Sequence, residues 1–153
     1  MVVNLVVGSR SVTTERIASE QVAVIVSAQQ VQTSIAEADA AAANEFLAAG
    51  REQQEQRAQY QTSIEEAGVA LIDVASEVDD NEELLQEVRS VEKALVKYSG
   101  LVESARANNR QNYPIGAAYL STASGVLEQD VYRRLTRLRT KWLVNIVAIT
   151  TTK

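Results

Sequence analysis

The chain has 153 residues, 46% of them hydrophobic and 23% charged, with a net charge of −5; that is the composition of one folded domain rather than a disordered chain. It contains no Cys and no His, which removes disulfides, thiolate nucleophiles, the commonest transition-metal ligand and the usual general base near neutral pH. Most hydrolase, zinc, haem and iron–sulfur chemistry goes with them, so no cofactor and no metal site is expected, and an enzyme would have to run on carboxylates alone.

One Pro and six Gly are too few turn residues for a β-rich domain of this length and favour long helices. Ala, Val, Leu, Gln and Glu dominate, as in bundles. Charge is uneven. Residues 1–112 carry 9 basic and 18 acidic side chains, and residues 113–153 carry 6 and 2. An acidic body repels nucleic acid, so no nucleic-acid partner is expected. The basic run Arg133, Arg134, Arg137, Arg139 and Lys141, followed by Trp142, reads first as a solvated helix face. A lipid-headgroup contact and a nucleic-acid patch are the second and third readings. No stretch reaches the roughly 18–20 apolar residues of a membrane span. The apolar start, Met1–Val7, lacks the basic region and cleavage site of a signal peptide; it reads as the stub of a span or as an apolar helix start.

Four helices are predicted in chain order. The first covers about 9–49. Ile17, Val24, Val31 and Ala38 recur every seven residues, with Gln21, Ala28, Ile35 and Ala42 between them, a 4-3 seam with one polar member. Ser11 or Thr13 is the candidate cap, and Gly50 the stop. The second covers about 52–78, with Tyr60, Ile64, Ala67, Leu71, Val74 and Val78 on the seam. Gly68 costs this helix about 0.8–1 kcal/mol relative to Ala, which a close helix–helix contact would explain. Asp79-Asp80-Asn81 is a turn and N-cap cluster. The third helix covers about 81–109, through Leu84, Val88, Val91, Leu95, Tyr98, Val102 and Ala105 to Asn109, a polar residue on a core-facing position. Pro114 opens the fourth, about 114–142, with Leu120, Ala123, Leu127, Val131, Leu135, Leu138 and Trp142. The tail 143–153 is read as frayed, extended, or the edge of a membrane span. The fold expected is all-α, an elongated antiparallel up-down-up-down four-helix bundle forming a single domain over 1–153.

No catalytic constellation is present. Di-iron bundles need Glu-x-x-His pairs, and there is no calcium loop, phosphate loop or nucleophile elbow. The acidic pairs along the helices read as solvated faces. One segment stands out: from Arg106 to Asn112, two Arg, three Asn and one Gln fall within seven residues, just before the start of the fourth helix. Such a cluster either caps the third helix and ties the corner together, or binds a carboxylate-bearing ligand or partner loop through the Arg forks. Tyr113 and Tyr119 would then supply a wall.

The run Ala105-Arg-Ala-Asn-Asn-Arg-Gln-Asn-Tyr-Pro-Ile-Gly-Ala-Ala-Tyr-Leu120 resembles the extracytoplasmic sensor domain of an actinobacterial multipass membrane protein family associated with glutamine or glutamate sensing. The resemblance covers about residues 10–135, and the architecture is also similar to the ligand-binding bundle of bacterial chemoreceptors. It implies a signal relay from a periplasmic-type amino-acid-binding protein, or from a small amino acid, to a Ser/Thr kinase pathway across a membrane reached through segments not in this chain. Arg106, Asn109, Arg110 and Tyr113 are the recognition residues it suggests. The stretch Arg133–Lys153 departs from the family pattern.

The leading functional reading is a non-enzymatic extracytoplasmic sensor at the cell membrane, in which helices one and four shift relative to two and three. The alternative is a structural or oligomerising bundle with no ligand, its register set by Gln21 and Asn109. A carboxylate enzyme comes third. A homodimer is expected, since sensor bundles often dimerise.

Overall fold

The structure is a computed structural model. It describes the backbone of residues 5–48, 50–111 and 114–151, and the side chains at 19, 22–48, 50–111, 114–148 and 151. Every long element is helical, and the expected up-down-up-down four-helix bundle is what the chain forms. Helix α1 spans Leu5–Leu47, α2 Gly50–Glu77 and α3 Glu82–Arg110. The fourth arm is α4 (Ile115–Val126), a π-helical turn (Leu127–Tyr132) and α5 (Arg133–Thr151), continuous end to end. No helix among the described residues is long and apolar enough to cross a membrane.

The seams expected from the heptads form the core. Val24, Ala28, Val31, Ile35 and Ala38 on α1 meet Ala67 and Val74 from α2, Val78 just beyond its end, and Leu84, Val91, Tyr98 and Val102 from α3. Leu127, Val131, Leu135 and Leu138 close the fourth side. The side chains of Ile17 and Gln21 lie outside the described ones. The closest packing is between α1 and α2 and between α3 and α4, while α2 touches α3 only sparsely. The bundle is thus two tight hairpins leaning on each other.

The ends depart from expectation. Helix α1 begins at Leu5, so Ser11 and Thr13 lie inside it and are not caps. Residues 143–151 continue α5 as helix, since neither Gly nor Pro follows Gly125 to break it. The other punctuation holds. Asn81 caps α3, its side-chain oxygen accepting the Leu84 amide at 3.1 Å. Gly50 has φ 59°, the left-handed conformation that lets the chain reverse between α1 and α2.

The fourth arm carries one extra residue. From Ala123 its buried positions step four residues at a time, to Leu127, Val131 and Leu135, and all of them are buried. A regular 4-3 seam would rotate the last of these out of the core. The wider π-helical turn absorbs the surplus residue and keeps the side chains pointing inward.

The α1–α2 turn and the α3–α4 junction sit at the same end of the bundle, where Phe46 lies against Gly116. The α2–α3 turn is at the other end, with the start of α1 and the end of α5. Helix α1 has 43 residues against 28 in α2, so it outruns its neighbour by about 20 Å at that end.

Candidate functional site

At the junction end a cavity of about 220 Å³ opens between all four arms. Helix α1 contributes Ala42, Glu45 and Phe46, and α2 contributes Gln53, Gln54 and Arg57. Helix α3 supplies Val102, Ala105, Arg106, Asn109 and Arg110, and α4 supplies Leu120. Three of the four residues singled out in the sequence, Arg106, Asn109 and Arg110, therefore line one cavity. Tyr113 lies outside the described residues.

The three are not equivalent. Arg106 is only 7% exposed. Its Nε and Nη2 both donate to Oε2 of buried Glu45, at 2.8 and 2.6 Å, and Nη1 donates to Glu103. Its guanidinium also lies over the Tyr60 ring, 4.2 Å from the centroid. Burial works against the charge of Arg106, but the hydrogen bonds from Glu45 and Glu103 outweigh it and hold the guanidinium above its usual range. That fork is committed to the protein. Arg110 is exposed and, like Arg57 across the cavity, forms no ion pair among the described residues. Asn109 is half-buried with its side chain facing the same space. Asn108 turns back to donate to the Ser104 carbonyl at 2.8 Å, and the Gln111 amide donates to the Asn108 carbonyl at 3.1 Å. The Asn-rich cluster thus splits its work, Asn108 and Gln111 closing α3 and Asn109 and Arg110 facing the cavity.

A second polar group connects this end to the middle of the bundle. Tyr60 and Tyr98 pair with ring centroids 6.3 Å apart. The Tyr98 hydroxyl donates to Asp39 at 3.2 Å, and the Ser124 hydroxyl reaches both Asp39 oxygens at 3.0 Å. Burial, and then the Asp39 charge, push the Tyr98 phenol well above its ordinary value, so it stays a donor. Burial likewise raises Tyr60, with the Ser99 hydroxyl and the Arg106 charge opposing. The Tyr60 hydroxyl nonetheless completes no hydrogen bond of normal geometry among the described residues. A line of contacts therefore runs from Arg106 through Tyr60, Tyr98 and Asp39 to Ser124, three residues before the π-helical turn.

The basic run on α5 is largely spent within the chain. Lys141 reaches Glu83 at 2.8 Å and Glu87 at 3.0 Å, with Arg134 and Arg137 also on Glu87 at 3.5 and 3.7 Å. Arg139 donates to Gln29 on α1 at 3.0 Å. Burial alone would raise the Glu87 carboxyl, but the Lys141 hydrogen bond and the three cations bring it below its ordinary value.

Sequence reasoning missed Glu45, Arg57 and Gly116. Glu45 had a signal, since it falls seven residues after Ala38 on the α1 seam, where a charge requires a buried partner. Gly116 had none. A Cβ there would stand 3.1 Å from the Ala105 carbonyl oxygen and 3.2 Å from the Asn109 amide nitrogen, so only Gly lets α4 start this close to α3. Among the described residues no cluster of carboxylates is arranged to hold a metal ion.

These features define an elongated all-α bundle with a cavity shared by every arm, and bordered by polar side chains, at the end where its two hairpins turn. The chain belongs to the actinobacterial sensor domain family, whose model matches residues 13–142. Neither the curated proteins nor the solved structures give a match.

Proposed function

We propose that this domain is an extracytoplasmic, non-enzymatic sensor of a membrane protein, recognising an amino acid or an amino-acid-binding protein at the junction-end cavity. The signal would pass as a helix shift across the membrane toward a Ser/Thr kinase pathway. The observation that carries the reading is the cavity itself. It is bordered by two guanidiniums, Arg57 and Arg110, that form no ion pair among the described residues, with Asn109, Gln53 and Gln54 beside them. Arg forks suit carboxylates, and the amides suit the remaining polar atoms of such a ligand or of a partner's loop.

A ligand there touches all four arms at once. It shifts the bundle's conformational equilibrium by its difference in affinity between two arrangements of those arms. The Arg106–Tyr60–Tyr98–Asp39–Ser124 line offers a contiguous contact route from the cavity toward the π-helical turn. Membership of a sensor family supports the sensing role.

The test is calorimetric titration with glutamate, glutamine and aspartate, then with an amino-acid-loaded periplasmic-type binding protein, on the wild type and on Arg57→Ala and Arg110→Ala. Amino-acid binding lost in either variant supports direct sensing. Binding only to the protein, lost in the same variants, supports a docking module in a relay. Silence throughout refutes the reading and puts the structural bundle first.

A further inference from the structure

The junction-end cavity is charged unevenly along its depth. Its inner wall holds Glu45 and Arg106, both buried. Arg106 serves two carboxylates, Glu45 and Glu103, so the three side chains together carry one negative charge. Arg110 lies one turn beyond Arg106 on α3. Arg57 lies three residues before Tyr60 on α2, and Tyr60 is level with Arg106, whose guanidinium covers its ring. Helix α3 runs toward the junction and α2 away from it, so the backbones at Arg57 and Arg110 stand about 5 Å nearer the end of the bundle. Neither arginine forms an ion pair among the described residues. The outer part of the cavity is therefore positive and its floor negative.

Glu45 has an oxygen to spare. Both of its bonds from Arg106, at 2.8 and 2.6 Å, land on Oε2. Oε1 accepts no hydrogen bond among the described residues. It is not sealed in either. Among those residues the Tyr60 hydroxyl is the one buried side-chain polar atom without a partner, so Oε1 keeps contact with solvent, and Glu45 lines this cavity. A plain anion drawn in by the arginines meets that oxygen as a repulsion. A ligand that also carries an ammonium meets it as an acceptor, in a charge-assisted hydrogen bond.

Given the ligand role proposed above for this cavity, we infer that Glu45 makes it selective for a small zwitterion over a simple carboxylate. The ammonium points inward and donates to Glu45 Oε1. The carboxylate end stays outward, between Arg57 and Arg110. The room available, about 220 Å³, is below the about 300–1,000 Å³ of sites for drug-sized ligands and suits a free amino acid.

The test is calorimetric titration of the 153-residue chain at pH 7 with two probes, glutamate and glutarate, which share both carboxylates and differ in the ammonium. The wild type should bind glutamate at least about tenfold more tightly, the worth of one charge-assisted hydrogen bond. Arg57→Gln and Arg110→Gln should weaken both probes and keep their ratio. The double variant Glu45→Met/Arg106→Met removes the acceptor together with its cation, and circular dichroism checks that it folds. There the ratio should fall to about one, through loss of glutamate affinity. Glutarate binding as tightly as glutamate to the wild type, with both probes weakened in the arginine variants, overturns the inference and leaves the cavity a site for plain anions. A glutamate preference that survives in the double variant overturns it too, by placing the ammonium elsewhere. Silence toward both probes overturns it along with direct sensing, and the binding-protein titration then decides whether the cavity is a docking site.

Discussion

Replacing Arg106 with Met tests the physical account of the junction end most directly. Arg106 and Glu45 are 7% and 6% exposed, and two hydrogen bonds of 2.8 and 2.6 Å join them. Met keeps most of the side-chain volume and removes the charge. Glu45 is then left buried with no cation, a change that costs about 3–5 kcal/mol. Glu103 adds little, because its side chain is 55% exposed and water replaces its partner. Against a total of about 5–15 kcal/mol for a domain, the loss is large. At about 2–4 °C per kcal/mol for a chain of this size, the melting midpoint should fall by about 6–20 °C. The assay is thermal and urea unfolding followed by circular dichroism. The double variant Glu45→Met/Arg106→Met removes both charges and should recover most of the loss, since an apolar pair of similar volume often matches a buried ion pair. A single variant that loses under about 1 kcal/mol, or a double variant no better than the single, would refute the reasoning.

Glu87 should govern part of the acid response. Its carboxyl titrates below the ordinary range when folded, so its contribution is full above about pH 4.3 and is lost as the pH falls through the lower folded value. Glu87→Gln should therefore be less stable than wild type at pH 7, with the difference shrinking as the pH falls below about 4.3, measured as unfolding midpoints across that range. Gly116→Ala presses a methyl onto two backbone atoms that cannot turn aside, and should cost about 1–3 kcal/mol while moving α4 off the cavity. Chemical denaturation reads the first effect, and ligand titration the second. Deleting exposed Gln129 from the π-helical turn should leave a regular 4-3 seam through Leu127, Val131, Leu135 and Leu138. The variant should fold with stability within about 1 kcal/mol of wild type, and a collapse in helical content would show that the turn does more than absorb a residue.

The helices and their inward faces could be read from the chain, because heptad spacing and helical geometry are local properties. Val24, Val31 and Ala38 are buried for the same reason that they recur every seven residues, and Asn81 caps α3 through an atom three residues from its partner. The π-helical turn was not read from the chain: three four-residue steps from Ala123 to Leu135 were its signal, and only the need to keep all four inside shows that the helix widens there. The Arg106–Asn112 cluster marked the right end of the molecule. Its division of labour was decided by tertiary structure. Arg106 is locked by Glu45, 61 residues away, whereas Arg110, one turn further on, is exposed. Arg57, Gln53 and Gln54 joined the cavity only when α2 folded against α1. The open α2–α3 face belongs to the same category. Which side of an amphipathic helix is apolar follows from its own sequence, but how much of that side a neighbour covers depends on how two hairpins lean together, a balance of contacts distant in the chain.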